Sequence, residues 1–382
     1  MSDTDTPEPD RIAGAPHPRH TARVIGQDAA QAGFLQSWNS GRLHHGWLLT
    51  GPRGVGKATL AWAIARFLLA TPDAQEDGLF GAPPPPASLH IDPDHPVAHR
   101  LRALSEPGLH LLRRGGAGSQ DSERRKNLLE GKFSNDIRVA EVRDLGRFLH
   151  LSASDGGRRV VIVDAADEMN TQAANALLKM LEEPPARTTL LLVSHQPSRL
   201  LPTIRSRCRE LRLGTLTPQG MEHALVQAGI DIPADTAALA ELSAGSVGEA
   251  VRLISLDGLK LYADLVALYA TLPRLDRPRA LRLAEAASAR GAEARLDLLF
   301  HLQDLLLARL ARTGAMGHPP PVPAAPGESD LLARLAPDAH HARTWADLAQ
   351  SISARVGHAR AVNLDPASLV LDTVFKIQQT AA

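Results

Sequence analysis

HHGWLLTGPRGVGKATLAWAIARFLLA, residues 44–70, joins a short apolar run, a glycine-rich turn and an apolar segment of helical periodicity. The run before the turn predicts a buried strand, and the fourfold spacing after it predicts a helix that begins at residue 57. The turn follows the G-x-x-x-x-G-K pattern of a P-loop, in which backbone N–H groups and a helix N-terminus surround phosphates. Only six of the 42 basic residues are lysines, so a lysine directly after Gly56 strengthens this interpretation.

The loop departs from the full pattern at the position after its lysine. A serine or threonine hydroxyl normally holds Mg²⁺ there, but Lys57 is followed by Ala58, and Thr59 comes one residue late. Thr59 lies about 100° further round the helix and cannot simply substitute. We therefore expect a loop that can bind phosphate but holds Mg²⁺ weakly. The alternative is a loop that binds no nucleotide.

The β-branched run of residues 158–164 ends at Asp164. This is the position of a Walker-B aspartate, which supports Mg²⁺. Active ATPases of this kind usually carry a glutamate next, but Ala165 stands there. The acids Asp167 and Glu168 come later, and we interpret them as helix-start charges. The missing hydroxyl at Ala58 and the missing glutamate at Ala165 together argue against ATP hydrolysis. The residues predicted to form a degenerate nucleotide site are Gly51, Gly54, Gly56, Lys57, Thr59 and Asp164.

Strand and helix patterns alternate as far as residue 213 and predict an open, mostly parallel α/β sheet. Further strands are predicted at 188–195 and 208–213, and helices at 137–152 and 171–183, the latter with Asn170 as its N-cap. After residue 213 only helices are predicted. The expected organisation is a disordered tail (1–20), an α/β domain (21–213) with a loose insertion (71–135), a small helical unit (214–257) and a larger helical domain (258–382).

Bulk composition limits the classes of function. The formal net charge is zero, so any contact with nucleic acid must be local. The single cysteine, Cys208, excludes a disulfide framework and a cysteine-rich zinc site, and we expect no bound metal. No signal-peptide pattern and no apolar run of membrane-spanning length occurs, so the sequence predicts a soluble cytoplasmic protein.

Three arginines alternate in IRSRCREL, residues 204–211. Arg205, Arg207 and Arg209 on alternate positions fit a solvated, positively charged edge. Alternatively, Arg207 is an arginine finger that reaches the γ-phosphate of a neighbouring subunit, because the planar guanidinium suits phosphate oxygens. The residues themselves leave both interpretations open.

Three segments together resemble the clamp-loader AAA+ family, and within it the delta-prime group of bacterial DNA polymerase III subunits. They are GRLHHGWLLTGPRGVGKATLA (41–61), VVIVDAADEMNTQAANALLKMLEEPP (160–185) and LLPTIRSRC (200–208). The likeness covers roughly residues 20–255, and the Ser206-Arg207-Cys208 triplet is its most specific element. The remaining part is similar only in being helical and of suitable length.

The resemblance implies a RecA-like ATPase domain, a small helical lid and a helical collar that joins five subunits in a ring. It implies a role in opening the sliding clamp and placing it on primed DNA, with Arg207 acting in trans on an adjacent motor subunit. Gly248 stands where motor subunits carry their sensor-2 arginine, and Arg252 one turn later is interpreted as a surface or packing residue. Many relatives hold a four-cysteine zinc module, which this sequence cannot form.

The sequence thus predicts a clamp-loader subunit that does not hydrolyse ATP, in which ATP and Mg²⁺ bind weakly or not at all. Its expected partners are the motor subunits and delta, with primed DNA contacted through the complex and the clamp indirectly. An active ATPase motor subunit that uses Thr59 for Mg²⁺ is the enzymatic alternative. A free-standing nucleotide-binding regulator is the third, although an arginine finger would have no purpose without a neighbour.

Overall fold

The computed structural model describes residues 7–71, 84–150, 157–362 and 364–381. These residues form two compact units. The first extends to Asp231 and includes Ser246–Gly248, and the second contains Ile232–Gly245 and the chain from Glu249 onward. Within the described residues, no helix is long and apolar enough to cross a membrane.

A five-stranded, wholly parallel sheet lies at the centre of the first unit, in the order β2-β3-β4-β1-β5. The strands are β1 (Gly46–Thr50), β2 (Leu109–Arg113), β3 (Arg159–Asp164), β4 (Thr188–Val193) and β5 (Arg209–Arg212). The central strands β1 and β4 are buried along their whole length, as continuous apolar runs require. The predicted parallel α/β fold is confirmed.

Eight α-helices accompany the sheet in the described part of the first unit. They are α1 (Asp28–Asn39), α2 (Lys57–Ala70), α3 (Pro96–Arg102), α4 (Asp121–Leu129), α5 (Val139–His150), α6 (Thr171–Glu182), α7 (Pro202–Arg205) and α8 (Pro218–Gln227). Asn170 caps α6 as predicted, since its side chain accepts a hydrogen bond from the backbone N–H of Ala173 at 2.9 Å. Leu177 and Leu181 bury the inner face of α6.

Residues 7–20 differ from the disordered tail predicted for residues 1–20. His17 and Arg19 are buried, and Arg19 pairs with Glu8 at 2.7 Å. Arg113, at the end of β2, pairs with Glu8 at 3.0 Å and with Asp10 at 2.5 Å. These ion pairs hold a polar segment that lacks an apolar core of its own; residues 1–6 of the predicted tail lie outside the described residues.

The predicted loose insertion, residues 71–135, also contains more regular structure than expected. It supplies α3, the edge strand β2 and α4, and β2 pairs with β3 over its whole length. Leu112 and Leu101 anchor this stretch in the interior. Residues 72–83 of the stretch lie outside the described part of the chain.

The second unit is helical throughout its described residues. Its helices are α9 (Thr236–Ser243), α10 (Val247–Ser255, of which the first two residues belong to the first unit), α11 (Gly258–Tyr269), α12 (Arg277–Ser288), α13 (Glu293–Met316), α14 (Glu328–Leu335), α15 (Ala339–Ala361) and α16 (Pro366–Thr380). The proline-rich stretch 317–327 separates α13 from α14. α13 packs along α15, and α12 packs along α16.

A buried polar network joins three of these helices. Glu328 is fully buried, and its carboxylate pairs with the Arg309 guanidinium at 2.7 Å and accepts a hydrogen bond from the Tyr262 hydroxyl. Burial alone would lower the pKa of Arg309, but the neighbouring Glu328 carboxylate raises it. Arg309 also donates to the carbonyl of Val322 at 3.1 Å, which fixes the proline-rich stretch.

Candidate functional site

The glycine-rich turn joins β1 to α2 in the arrangement that the motif predicts. Gly51 and Gly54 adopt positive φ values of 139° and 77°. A Cβ at Gly51 would lie 2.3 Å from the carbonyl oxygen of Leu213, and one at Gly54 would lie 2.3 Å from the Ser246 hydroxyl. Both positions therefore require glycine for conformation and for space.

Lys57 is buried and turns back onto its own loop. Its ammonium donates to the carbonyl oxygens of Gly51 at 2.7 Å and Pro52 at 2.5 Å. Burial lowers the pKa of Lys57 to about 8, although the negative charges of Asp164 and Asp167 oppose this shift. The group that would meet phosphate is thus engaged with backbone carbonyls.

The outer side of the loop is held by the segment Ser246–Gly248, which belongs to the same unit. The Ser246 hydroxyl donates to the carbonyl of Arg53 at 2.9 Å, and the Gly248 N–H donates to the carbonyl of Gly54 at 3.1 Å. A Cβ at Gly248 would lie 2.8 Å from the Gly54 Cα and 2.7 Å from Ile12 Cδ1. An arginine at this position would not fit without displacing the loop.

Asp164 lies at the end of β3, as the Walker-B assignment predicts. Burial raises its pKa to about 8, and the nearby carboxylates of Asp10 and Glu168 add to the shift. Lys57 and Arg113 oppose it. Burial therefore favours the protonated form of this carboxyl group.

Asp167 and Glu168 have structural partners. The Asp167 carboxylate accepts hydrogen bonds from the backbone N–H groups of His195 at 2.9 Å and Gln196 at 3.2 Å, and so fixes the loop after β4. Glu168 pairs with Arg114 at 3.0 Å. Both acids lie in a short 3₁₀ turn, but Asp167 stabilises a distant loop rather than the start of a helix.

His195 is a neighbour of this site that the sequence did not single out. Burial lowers its pKa to about 4, and the positive charge of Lys57 adds to the shift. Its imidazole is therefore neutral at neutral pH.

Ala58 and Thr59 both lie in the first turn of α2. The position directly after Lys57 is therefore helical, but its alanine carries no hydroxyl for Mg²⁺.

A possible ligand cluster lies in the N-terminal segment. Glu8, Asp10 and His17 bring potential metal-binding atoms within 4.8 Å of one another. Arg19 and Arg113 already pair with these carboxylates, and His17 contacts Asp10 at 3.0 Å. The arrangement is accounted for by ion pairs.

Arg207 follows the short helix α7 and differs from the two arginines that flank it. One of its terminal nitrogens lies 2.8 Å from the Glu182 carboxylate, and the other donates to the carbonyl of Thr203 at 3.0 Å. Arg209 lies over the ring of Trp47, with 5.4 Å between Cζ and the ring centroid. Arg205 is exposed. Among the described residues, only Arg207 of the three pairs with a carboxylate.

Arg207 and the glycine-rich loop lie at opposite ends of β1. The carbonyl oxygen of Arg207 would be 3.2 Å from a Cβ at Gly46, the first residue of the strand. The loop begins at Gly51, after the last residue. Five residues of extended chain span about 16 Å, which is more than an arginine side chain extends from its backbone. Arg207 therefore cannot reach phosphates bound at the loop of its own chain.

Cys208, the next residue, is part of the packing beneath this region. Its sulfur would lie 3.3 Å from a Cβ at Gly46, and burial raises the pKa of its thiol to about 12. The thiol therefore remains protonated at neutral pH and acts as a small apolar group.

Comparison with known proteins identifies relatives that match part of the chain. A family model described as DNA polymerase III, delta subunit, matches residues 26–217, which is half of the 382-residue chain. The DNA polymerase III subunit delta' of Pseudomonas aeruginosa is 38% identical over 216 residues, covering 56% of this chain and 56% of that protein. Subunit delta' of Escherichia coli K12 is 32% identical over 227 residues, covering 59% and 58%.

A second type of subunit is also similar. DNA polymerase III subunit tau of Escherichia coli K12 is 28% identical over 292 residues, covering 74% of this chain and 40% of that protein. The chain aligns with little more than half the length of the delta-prime relatives. The parallel sheet, the loop between β1 and α2 and the helical C-terminal part have the AAA+ architecture that the resemblance implied. On the matched family model and the two delta-prime relatives, the chain belongs to the delta-prime family of DNA polymerase III subunits.

Proposed function

We propose that this chain is a clamp-loader subunit that helps to place the sliding clamp on primed DNA during replication in the cytoplasm. Its partners are the motor subunits and delta, in a ring of five. It contacts DNA through the assembled complex and the clamp indirectly. Its catalytic contribution is Arg207, delivered in trans to the ATP of an adjacent subunit, while its own nucleotide site is weak or inactive and it holds no zinc.

The observation that carries the proposal is the position of Arg207 at the far end of β1 from the glycine-rich loop. A guanidinium in that place has no phosphate to bind within its own chain. It is partly exposed and follows α7, which packs on α6, and this exposure is what contact with a neighbouring subunit's nucleotide requires. An arginine finger supplied to a neighbour fits this geometry.

The state of the loop supports the second part of the proposal. Phosphate binding requires Lys57 to leave the two carbonyls that it now contacts. Mg²⁺ placement lacks the hydroxyl at Ala58, and the water-orienting carboxylate is replaced by Ala165. Burial also raises the pKa of Asp164 to about 8, which disfavours the carboxylate form that would support Mg²⁺. We infer that these features act together against ATP hydrolysis by this chain.

The alternative is an active motor subunit in which Thr59 replaces the missing hydroxyl. Lys57 and Asp164 at their motif positions are the observations that favour it. The two functions differ in whether Lys57 is needed for turnover. They can therefore be separated by one series of ATPase measurements.

We expect the purified chain to show no steady-state ATP turnover above background, and the chain with motor subunits to show turnover that Lys57→Ala leaves unchanged. Circular dichroism of the Lys57→Ala variant serves as the folding control, because Lys57 also holds the loop. Turnover by the isolated chain that Lys57→Ala abolishes would instead identify an active motor subunit.

A further inference from the structure

Glu182 is the last residue of α6 and the carboxylate partner of Arg207. The side chains of Glu182 and Arg207 are 46% and 36% exposed. Ion pairs with this exposure contribute little to stability, because water screens them and two long side chains lose freedom. The ion pair between Glu182 and Arg207 therefore contributes little to the stability of the fold, and stability does not explain its presence.

The pair does determine the direction of the guanidinium. Glu182 occupies one terminal nitrogen of Arg207, and the carbonyl of Thr203 occupies the other. Two contacts on different nitrogens fix the plane of the group, not only its position. A guanidinium has five N–H donors, so three remain for phosphate oxygens.

The elements that carry the two side chains are anchored in one core. Leu181, beside Glu182, and Ile204, three residues before Arg207, are both buried in the same apolar cluster. The imidazole of His45 also contacts the carbonyl of Leu181, at 2.9 Å. Because the segments that carry Glu182 and Arg207 are both anchored in this core, the Glu182 carboxylate holds the Arg207 guanidinium in a defined place.

We propose that Glu182 is the positioning residue of the arginine finger: it orients Arg207 so that the free N–H groups face the neighbouring subunit's phosphates. This inference rests on the proposed function of Arg207. It adds a residue that does not itself touch nucleotide. Glu183, the next residue, is exposed and, within the described chain, makes no ion pair, so it provides a control of equal charge.

The test is a double-mutant cycle in the reconstituted loader, with kcat and KM for ATP measured in the presence of primed DNA. Loss of orientation should affect the chemical step more than binding, since small misplacements of a catalytic group are costly. We expect Glu182→Ala to lower the kcat attributable to the finger by roughly tenfold, with KM and ring assembly unchanged. Glu182→Gln, which keeps an acceptor oxygen, should recover part of the loss, and Glu183→Ala should have no effect.

The cycle also identifies how the residue acts. Glu182→Ala should cause no further loss when Arg207→Ala is already present. An equal loss in that background, an equal loss with Glu183→Ala, or a faster loader with Glu182→Ala would overturn the positioning assignment. If Arg207→Ala alone has no effect, the proposed finger function itself fails, and that outcome is distinct from the others.

Discussion

Arg207→Ala should sharply lower DNA-stimulated ATP hydrolysis by the assembled loader while the ring still forms. An arginine finger stabilises charge on the transferring phosphoryl group and contributes on the order of 10³–10⁵ in rate at its site. The loss for the whole loader should be smaller, because other sites keep their own fingers. Folding should be unaffected, because Arg207 is partly exposed and its carboxylate contact is a surface ion pair. The measurement is steady-state ATPase with primed DNA, alongside sizing of the complex.

The arginines on either side of Arg207 provide matched controls. Arg205→Ala removes an exposed arginine of the same short segment and should have a small effect. Arg207→Lys should rescue little, because an ammonium lacks the planar fork of donors. If Arg205→Ala, Arg207→Ala and Arg209→Ala slow the loader equally, or if none does, the three arginines are only a charged edge.

Glu328→Ala should lower the free energy of unfolding of the helical unit by about 3 kcal/mol, the range found when one partner of a buried ion pair is removed. The carboxylate is fully buried between Arg309 and Tyr262, and it also accepts the backbone N–H of Ala324 at 2.5 Å. Loss of the Glu328 carboxylate leaves the buried Arg309 guanidinium with a single carboxylate partner, that of Glu241 at 3.0 Å. Denaturant unfolding of the full chain, followed by circular dichroism, measures the change.

Two variants make this second prediction specific. Glu241→Ala removes the more exposed partner of Arg309 and should cost less than about 1 kcal/mol. Replacing both Arg309 and Glu328 by leucine should recover part of the loss, because no buried charge is then left unpaired. A Glu328→Ala variant as stable as the parent would show that the network contributes nothing to the unit.

The sheet was predictable where its strands are buried on both faces. Residues 160–163 and 190–193 are continuous apolar runs within their strands, and such short runs are typical of strands buried on both faces. The edge strand β2 was missed because it is only partly buried and lies in a stretch rich in glycine and proline.

Contacts between distant parts of the chain could not be predicted. Residues 7–20 are polar and proline-rich, and their order depends on Arg113, about a hundred residues away. Glu182 and Arg207 are 25 positions apart, and only the packing of α7 on α6 brings them together. The loop glycines and Lys57 were identified from spacing alone, but the contacts that Lys57 makes with the loop carbonyls required the fold.

We propose that Arg207 acts on the nucleotide of another subunit. The most direct test is a structure of the assembled loader on primed DNA with ADP, Mg²⁺ and aluminium fluoride, which imitates the transferring phosphoryl group. We predict a terminal nitrogen of Arg207 within about 3.2 Å of a fluoride in the adjacent subunit. The proposed role would be contradicted if Arg207 points to solvent, or contacts only Glu182 and Thr203, while the adjacent site is filled.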